Sequence, residues 1–524
     1  MKRFDENSVV VHIKALGWPT MLLLVLFFSG VSWLGYTTIR YSIAQPLCCA
    51  DDGAIALVAK SLSEGSGYAL PINFSGESGK FLFDPGISTG ATLIIPAAIM
   101  LRIIGDYPWV PGFTSAIISL GLLFGICGLA LRRFGPKDGA AYSLLVLILV
   151  YFTTSGQNFI HWHALVGEIP AALLTLYAVF FVVGDGSRTS SRFLPGVLLG
   201  LAVQAKLLAS LAFPVLAIFS LWGASGWARK KSDWMSLAVL GTGFLTPIIA
   251  FELWRLFELG AHGYVAWFNQ LYAFVQSQVP GANSGGDRVS VLSMRSFNNS
   301  KSSLSVYGHA PLDLAAYVFL LSMVSWKFSH RIARKFTLCV MLVAVTHLMW
   351  WMLFSNGWQR YELIGAILVS CALATVSLWR VEFPLKIIVI VVSFVLALPI
   401  FNPQQLTWFL RGPASLDSLR EKNLREAIQP LMHERDDSIL IGGWWASLVE
   451  AKFLLPGSVA IAGFNRVDSL KERDLNVYFI INHKWDGFAG LNKDPAYKSF
   501  ADGCPNLLIK NSDFELYKCA KIAR

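Results

Sequence analysis

Residues 48–62 read Cys48-Cys49-Ala50-Asp51-Asp52-Gly53-Ala54-Ile55-Ala56-Leu57-Val58-Ala59-Lys60-Ser61-Leu62. They follow directly on a hydrophobic run, Ala15 to Ile39, and so put two adjacent carboxylates just outside a membrane. Neighbouring acids repel one another, which raises the proton affinity of one member when the pair is partly buried. A carboxylate tuned in this way suits a general base near neutral pH. The same residues also fit a solvated acidic loop between two helices, and the rest of the chain decides between the readings.

The run before them is too long for a signal peptide and lacks a small-residue cleavage site, so it reads as an uncleaved anchor. The whole chain has that character. Of its 524 residues 55% are hydrophobic and 15% charged, and the mean hydropathy is +0.54, which puts most of it in the bilayer. The net charge of +10 does not point to nucleic acid, because the basic residues sit in short clusters between apolar spans, as membrane topology requires. Seven cysteines are too few for a disulfide scaffold. Cys127, Cys339 and Cys371 read as packing residues. Cys504 and Cys519 flank a hairpin and can bond to each other on an extracytoplasmic face.

Lys2, Arg3 and Lys14 precede the first span and predict a cytoplasmic N-terminus. Basic clusters recur at Arg132, Arg133 and Lys137; Arg188 and Arg192; Arg229, Lys230 and Lys231; Lys327, Arg331, Arg334 and Lys335; and Arg380 and Lys386. If all face the cytoplasm, an even number of crossings separates each neighbouring pair. Spans are then expected over 111–131, 139–154, 169–184, 234–254, 311–326, 336–354, 361–379 and 387–402. Residues 193–228 must reverse near Lys206–Ser210, since at ~1.5 Å per residue they just suffice for two crossings of a ~30 Å core. The expected fold is thus a polytopic α-helical membrane protein of about eleven transmembrane helices, with the N-terminus inside and the C-terminus outside. The outer face then holds the first loop (40–110), the second loop (155–168), Lys206 and Arg360. Within the first loop, 53–64 and 88–104 read as helices lying in the interface, and 256–310 reads as a long outer loop with a flexible insert. Trp267, Phe268 and Tyr272, early in that loop, suit sugar stacking or an aromatic belt. The domains are expected at 1–410, in the membrane, and at 411–524, a small extracytoplasmic α/β domain. The latter has a helix near 415–432, a helix at 445–454, and strands at 438–441, 458–462, 476–482, 506–510 and 514–518.

Local motifs carry a resemblance. Asp51-Asp52 precedes Ala56-Leu57-Val58-Ala59-Lys60-Ser61-Leu62; Asp84-Pro85-Gly86-Ile87-Ser88-Thr89-Gly90 leads into Leu93–Pro96 and Arg102-Ile103-Ile104-Gly105; Gly167-Glu168-Ile169-Pro170 opens a span; Gly200-Leu201-Ala202-Val203-Gln204-Ala205-Lys206 closes one. In this order, on one membrane face, they resemble the GT-C glycosyltransferases, in particular the branch of bacterial protein O-mannosyltransferases and lipid A aminoarabinose transferases. The resemblance covers the arrangement of residues 1–400. Asp52 stands where that family usually has Glu, and Ala205 where it usually has Thr.

The resemblance implies an inverting enzyme of a bacterial inner membrane. It would move a sugar from a polyprenyl-phosphate donor to a glycan, lipid or protein acceptor on the periplasmic side. Transfer from a lipid phosphate needs a base for the acceptor hydroxyl and cations for the departing phosphate. Asp51, with Asp52 beside it, is the candidate base, and Lys206 and Arg360 are the candidates for the phosphate. Asp84, Glu168 and Tyr361 complete the expected substrate site. For Arg360 the alternative is interfacial snorkelling. His161 and His163, with Glu168, Asp52 and Asp84, offer ligands for a divalent metal; interfacial histidines without any metal are the plainer reading, and Glu168 also complements a helix dipole. Competing functions are a lipid-linked-sugar flippase or transporter and a non-catalytic envelope-assembly subunit.

Overall fold

The computed structural model describes residues 17–44, 47, 50–71, 81–87, 89–154, 162–184, 189–222, 231–277, 331–354, 359–380, 416–433, 438–443, 448–455, 459–463, 476–483, 486 and 493–519. The helical part runs α1 (Trp18–Ala44), α2 (Ala50–Ser63), α3 (Ala91–Ile104), α4 (Trp109–Thr154), α5 (Glu168–Val183), α6 (Phe193–Ala205), α7 (Phe213–Leu221), α8 (Lys231–Ser277), α9 (Arg331–Phe354) and α10 (Gln359–Ala374). Two short strands, β1 (Ala69–Leu70) and β2 (Phe81–Leu82), pair antiparallel between α2 and α3. Among the described residues five helices are long and apolar enough to cross a membrane, and four shorter ones are also apolar. The protein is a membrane protein. Two of the expected spans, 311–326 and 387–402, lie outside the described residues.

The reversals follow from local chemistry. Within α4 the chain turns back at Gly135, whose φ of 84° is open to glycine at no steric cost. Pro136 then supplies a fixed φ for the returning arm. The arms touch: Ser143 Oγ donates to the Cys127 carbonyl at 3.3 Å, and a Cβ on Gly139 would lie 2.5 Å from Leu131 Cα. These arms coincide with 111–131 and 139–154, the segments expected on either side of Arg132, Arg133 and Lys137.

A second reversal falls at Lys206. Arg192, just before α6, donates to the Phe181 and Val182 carbonyls at the far end of α5, whereas Lys206 reaches Val166 and Glu168 at its start. A 3-10 segment (Leu207–Ala212) and α7 then lead back to Trp222, whose carbonyl accepts from Lys335 Nζ at 3.2 Å. Phe180 and Phe336 pack with ring centroids 4.3 Å apart, and Phe134 sits 6.1 and 5.9 Å from them. The described residues of three basic clusters therefore gather at one end of the bundle, as the parity argument requires.

Residues 256–277, expected as the start of a long outer loop, are helical instead. α8 does not stop near residue 254; it breaks at Gly260 (φ 65°) and continues to Ser277. The second arm is locked to the first: Tyr264 Oη donates to Glu252 at 3.0 Å, and the Arg255 guanidinium lies 3.6 Å from the Trp267 ring centroid. Trp267 Nε1 also donates to the Phe83 carbonyl at 2.6 Å, while Phe268 and Tyr272 are exposed. Residues 278–310 lie outside the described residues.

After α11 (Leu416–Met432) come β3 (Ser438–Gly442), α12 (Val449–Leu454), β4 (Val459–Gly463), β5 (Asn476–Asn482), α13 (Pro495–Asp502), β6 (Asn506–Lys510) and β7 (Phe514–Lys518). They form one sheet in the order β4-β3-β5-β7-β6. The interior strand β3, Ser438-Ile439-Leu440-Ile441-Gly442, is buried throughout and pairs parallel with both neighbours, as a strand covered on both faces should. Cys504 and Cys519 are disulfide-bonded across the β6–β7 hairpin. The sheet is not packed only upon itself. Ile55, Leu57 and Val58 of α2 share one apolar core with Leu448, Val449 and Phe453 around α12. A Cβ on Gly53 would lie 3.3 Å from the Val449 side chain, and Lys60 Nζ donates to the Phe453 carbonyl at 3.0 Å.

Candidate active site at the end of the bundle opposite the basic turns

The end remote from the basic turns collects side chains from four separate stretches of chain. Asp51 and Asp52 occupy the first turn of α2, where the unpaired amides favour negative charge. Successive helical residues project ~100° apart, so the two carboxylates diverge. Asp51 pairs with the Arg360 guanidinium. Asp52 is fully buried and accepts the Leu165 amide at 2.7 Å, fixing the segment that leads into α5.

Lys206 owes its place to the way α6 ends. Its own amide still closes the last turn on Ala202 at 2.8 Å. One carbonyl that would continue the helix is taken from outside, Gln204 by Gly90 N–H at 2.7 Å, and Thr92 Oγ1 adds a bond to the Leu201 carbonyl a turn earlier at 2.9 Å. An orphan carbonyl of the helix end is thus satisfied by the residue that opens α3, and Lys206 takes an extended backbone (φ −156°, ψ 121°). Neither proline nor glycine is needed at the break. Glycine is needed on the neighbours: a Cβ on Gly90 would fall 2.5 Å from the Gln204 oxygen, and one on Gly167 (φ 86°) 2.1 Å from the Ala205 oxygen.

That apposition brings Glu168, at the N-terminus of α5, to 2.9 Å from Lys206 Nζ, with the two side chains 0% and 4% exposed. The ammonium also donates to the Val166 carbonyl at 3.1 Å. A carboxylate and an ammonium removed from water persist only when paired and hydrogen-bonded, and both conditions hold. Tyr361 stands between the two cations: its ring centroid is 5.8 Å from Lys206 Nζ and 5.1 Å from Arg360 Cζ, and its hydroxyl accepts from Arg360 Nη2 at 3.3 Å. Asp51, Arg360, Tyr361, Lys206 and Glu168 are therefore one connected group. The Asp51–Arg360 half is open, at 30% and 20% exposure, and the Lys206–Glu168 half is closed.

Asp84 stands apart from this group. Its carboxylate accepts Gly86 N–H at 2.7 Å in its own turn, and no hydrogen bond or ion pair joins it to Asp51, Lys206 or Arg360. Burial pushes its proton affinity up, with the Gly86 hydrogen bond opposing. His163 is buried with its ring edge-on to Tyr41, centroids 4.8 Å apart. His161 lies outside the described residues, and among the described residues no three His, Cys, Asp or Glu side chains come together as a metal site. Gly90 and Gly167 are functional in holding this apposition, and glycine at two helix junctions is the signal in the sequence that marks them. The Leu165 amide and Val166 carbonyl carry no side-chain signal at all.

No protein-family model matches the chain, and no curated protein matches it in sequence. Solved structures do. ArnT from Cupriavidus metallidurans in the apo state is 12% identical over 96% of this chain and 98% of its own, with a TM-score of 0.58. The same protein bound to undecaprenyl phosphate is 13% identical over 99% and 100%, with a TM-score of 0.53. The apo oligosaccharyltransferase of Archaeoglobus fulgidus is 11% identical over 87% and 69%, with a TM-score of 0.44. The likeness is one of fold: the chain has the fold of the two ArnT structures.

Proposed function

We propose that the chain is a glycosyltransferase that takes a sugar from a polyprenyl-phosphate donor and passes it, with inversion, to a glycan, lipid or protein of the cell envelope. The observation that carries this reading is the meeting of one half-open carboxylate with two cations, drawn from α2, the α6 break and α10, on a GT-C fold. The ArnT structure with bound undecaprenyl phosphate is the reason for choosing a lipid phosphate as the cations' partner. Asp51 accepts the proton of the acceptor hydroxyl as its oxygen attacks the anomeric carbon. The bond from that carbon to the phosphate oxygen breaks, and its electron pair leaves with the lipid phosphate. Arg360 and Lys206 offset the charge that develops there. Tyr361 keeps the cations apart, Glu168 holds Lys206, and Asp52 is a positioning residue acting through Leu165. In this reading the site faces the periplasm of a bacterial inner membrane, the N-terminus is cytoplasmic, and the α/β unit over 411–524 lies on the side of the site. Asp84 and His163 belong to its surroundings.

The test is transfer by the purified protein from a panel of undecaprenyl-phosphate sugars, read as release of undecaprenyl phosphate with envelope extract as acceptor. Asp51→Asn is expected to lower turnover by about 10²–10⁴ while folding survives. Unchanged turnover in that variant contradicts the base assignment.

A further inference from the structure

Both cations of the site are already engaged by its own acids. Arg360 gives Nη1 to Asp51 and Nη2 to Tyr361, and Lys206 gives its ammonium to Glu168 and Val166. Two carboxylates and two cations leave these four groups formally neutral, so within this group of described residues a lipid phosphate finds no spare charge unless one pair opens. The pairs are not equally ready to do so. Glu168 and Lys206 are 0% and 4% exposed, and parting them strands a charge away from water. Asp51 and Arg360 are 30% and 20% exposed, so water can take over what each loses.

We infer that Asp51 is the placeholder for the donor phosphate on Arg360, and that arrival of the donor is what releases Asp51 to act on the acceptor. The inference rests on the transferase reading and adds an order to it: donor first, then acceptor. Until the phosphate takes the guanidinium, the Asp51 carboxylate is held away from an incoming hydroxyl. With the phosphate seated, Arg360 offsets the charge of the leaving group and Asp51 is left as a carboxylate facing the acceptor. The step is an exchange of ion-pair partners and makes or breaks no covalent bond. When the lipid phosphate departs, the pair closes again.

Competition for one guanidinium has a measurable sign. Undecaprenyl phosphate is titrated against the full-length protein in nanodiscs, with Asp51→Asn, Asp51→Glu, Arg360→Met and the double variant Asp51→Asn/Arg360→Met alongside. Asp51→Asn removes the competitor and is expected to bind about tenfold tighter, the worth of one charge-assisted hydrogen bond. Asp51→Glu keeps a carboxylate and should bind as the unsubstituted protein does. Arg360→Met should bind more weakly, and adding Asp51→Asn to it should bring no further gain, because the coupling runs through Arg360. Equal or weaker binding by Asp51→Asn overturns the inference. So does a gain that persists in the Arg360→Met background, which would be repulsion of the phosphate by any nearby acid. Unchanged binding by Arg360→Met overturns something different, the assignment of Arg360 to the phosphate in the transferase reading. Asp51→Ser makes the same charge change if the Asn variant does not fold.

Discussion

Replacing Lys206 with methionine separates what the residue does for the fold from what it does for the ligand. Its partner Glu168 is 0% exposed and 2.9 Å away, so the single substitution leaves a carboxylate in a site closed to water. Breaking a buried pair from one side costs about 3–5 kcal/mol, and the Val166 carbonyl also loses the ammonium as its donor. Lys206→Met is therefore expected to unfold well before the unsubstituted protein when SDS is titrated into mixed micelles. Adding Glu168→Gln removes the stranded charge, and the double variant should recover to within roughly 1–2 kcal/mol, because neutral replacement of a whole buried pair is cheap. Undecaprenyl phosphate binding should not recover with it, since the cation is still missing. Recovered binding in the double variant would refute the assignment of Lys206 to the phosphate. A single variant as stable as the parent would refute the closed ion pair itself.

Asp52→Asn keeps an oxygen for the Leu165 amide and should retain most transfer activity, in contrast to Asp51→Asn; Asp52→Ala should lose about 1–3 kcal/mol of stability for the unmet amide, seen in the same SDS titration. Gly167→Ala must force a left-handed backbone, costing about 1–2 kcal/mol, and drives a Cβ to 2.1 Å from the Ala205 oxygen; the transfer assay should show it inactive because Glu168 and Lys206 no longer meet. Lys452 is buried in α12, and its pKa is pulled down to about 8, chiefly by burial and further by Lys60, with Glu64 opposing. The unfolded chain, with an ordinary lysine pKa of about 10.4, then holds more protons than the folded one between pH ~8 and ~10.4, so stability rises with pH across that window, by on the order of 3 kcal/mol in all. Unfolding compared at about pH 8 and about pH 9.5, inside that window, should show the rise, and Lys452→Gln should flatten it.

The bundle's reversals were legible because topology writes itself in charge. Arg132, Arg133 and Lys137 had to share a side with Arg192 and Lys335, and that alone demanded the turns near Gly135 and Lys206. The strands of the α/β unit were legible too, in short β-branched runs such as 438–441 and 476–482. The second arm of α8 was not, because residues from 256 onward read as one long loop, whereas Gly260 is a break between two helical arms. The split between Asp51 and Asp52 was hidden for a different reason. Which acid meets Arg360 depends on helix phase, and the other's partner is a backbone amide 113 residues away. The packing of α12 on α2 was likewise hidden, since apolar faces carry no address for their partners.

Binding of undecaprenyl phosphate, resolved by cryo-electron microscopy of the protein in nanodiscs, tests the central claim most directly. The account predicts phosphate density between Lys206 and Arg360, within about 4 Å of both, with Asp51 turned away from the guanidinium. Phosphate seated instead among the basic turns near Arg133, Arg192 and Lys335, with the Asp51–Arg360 pair intact, would contradict it.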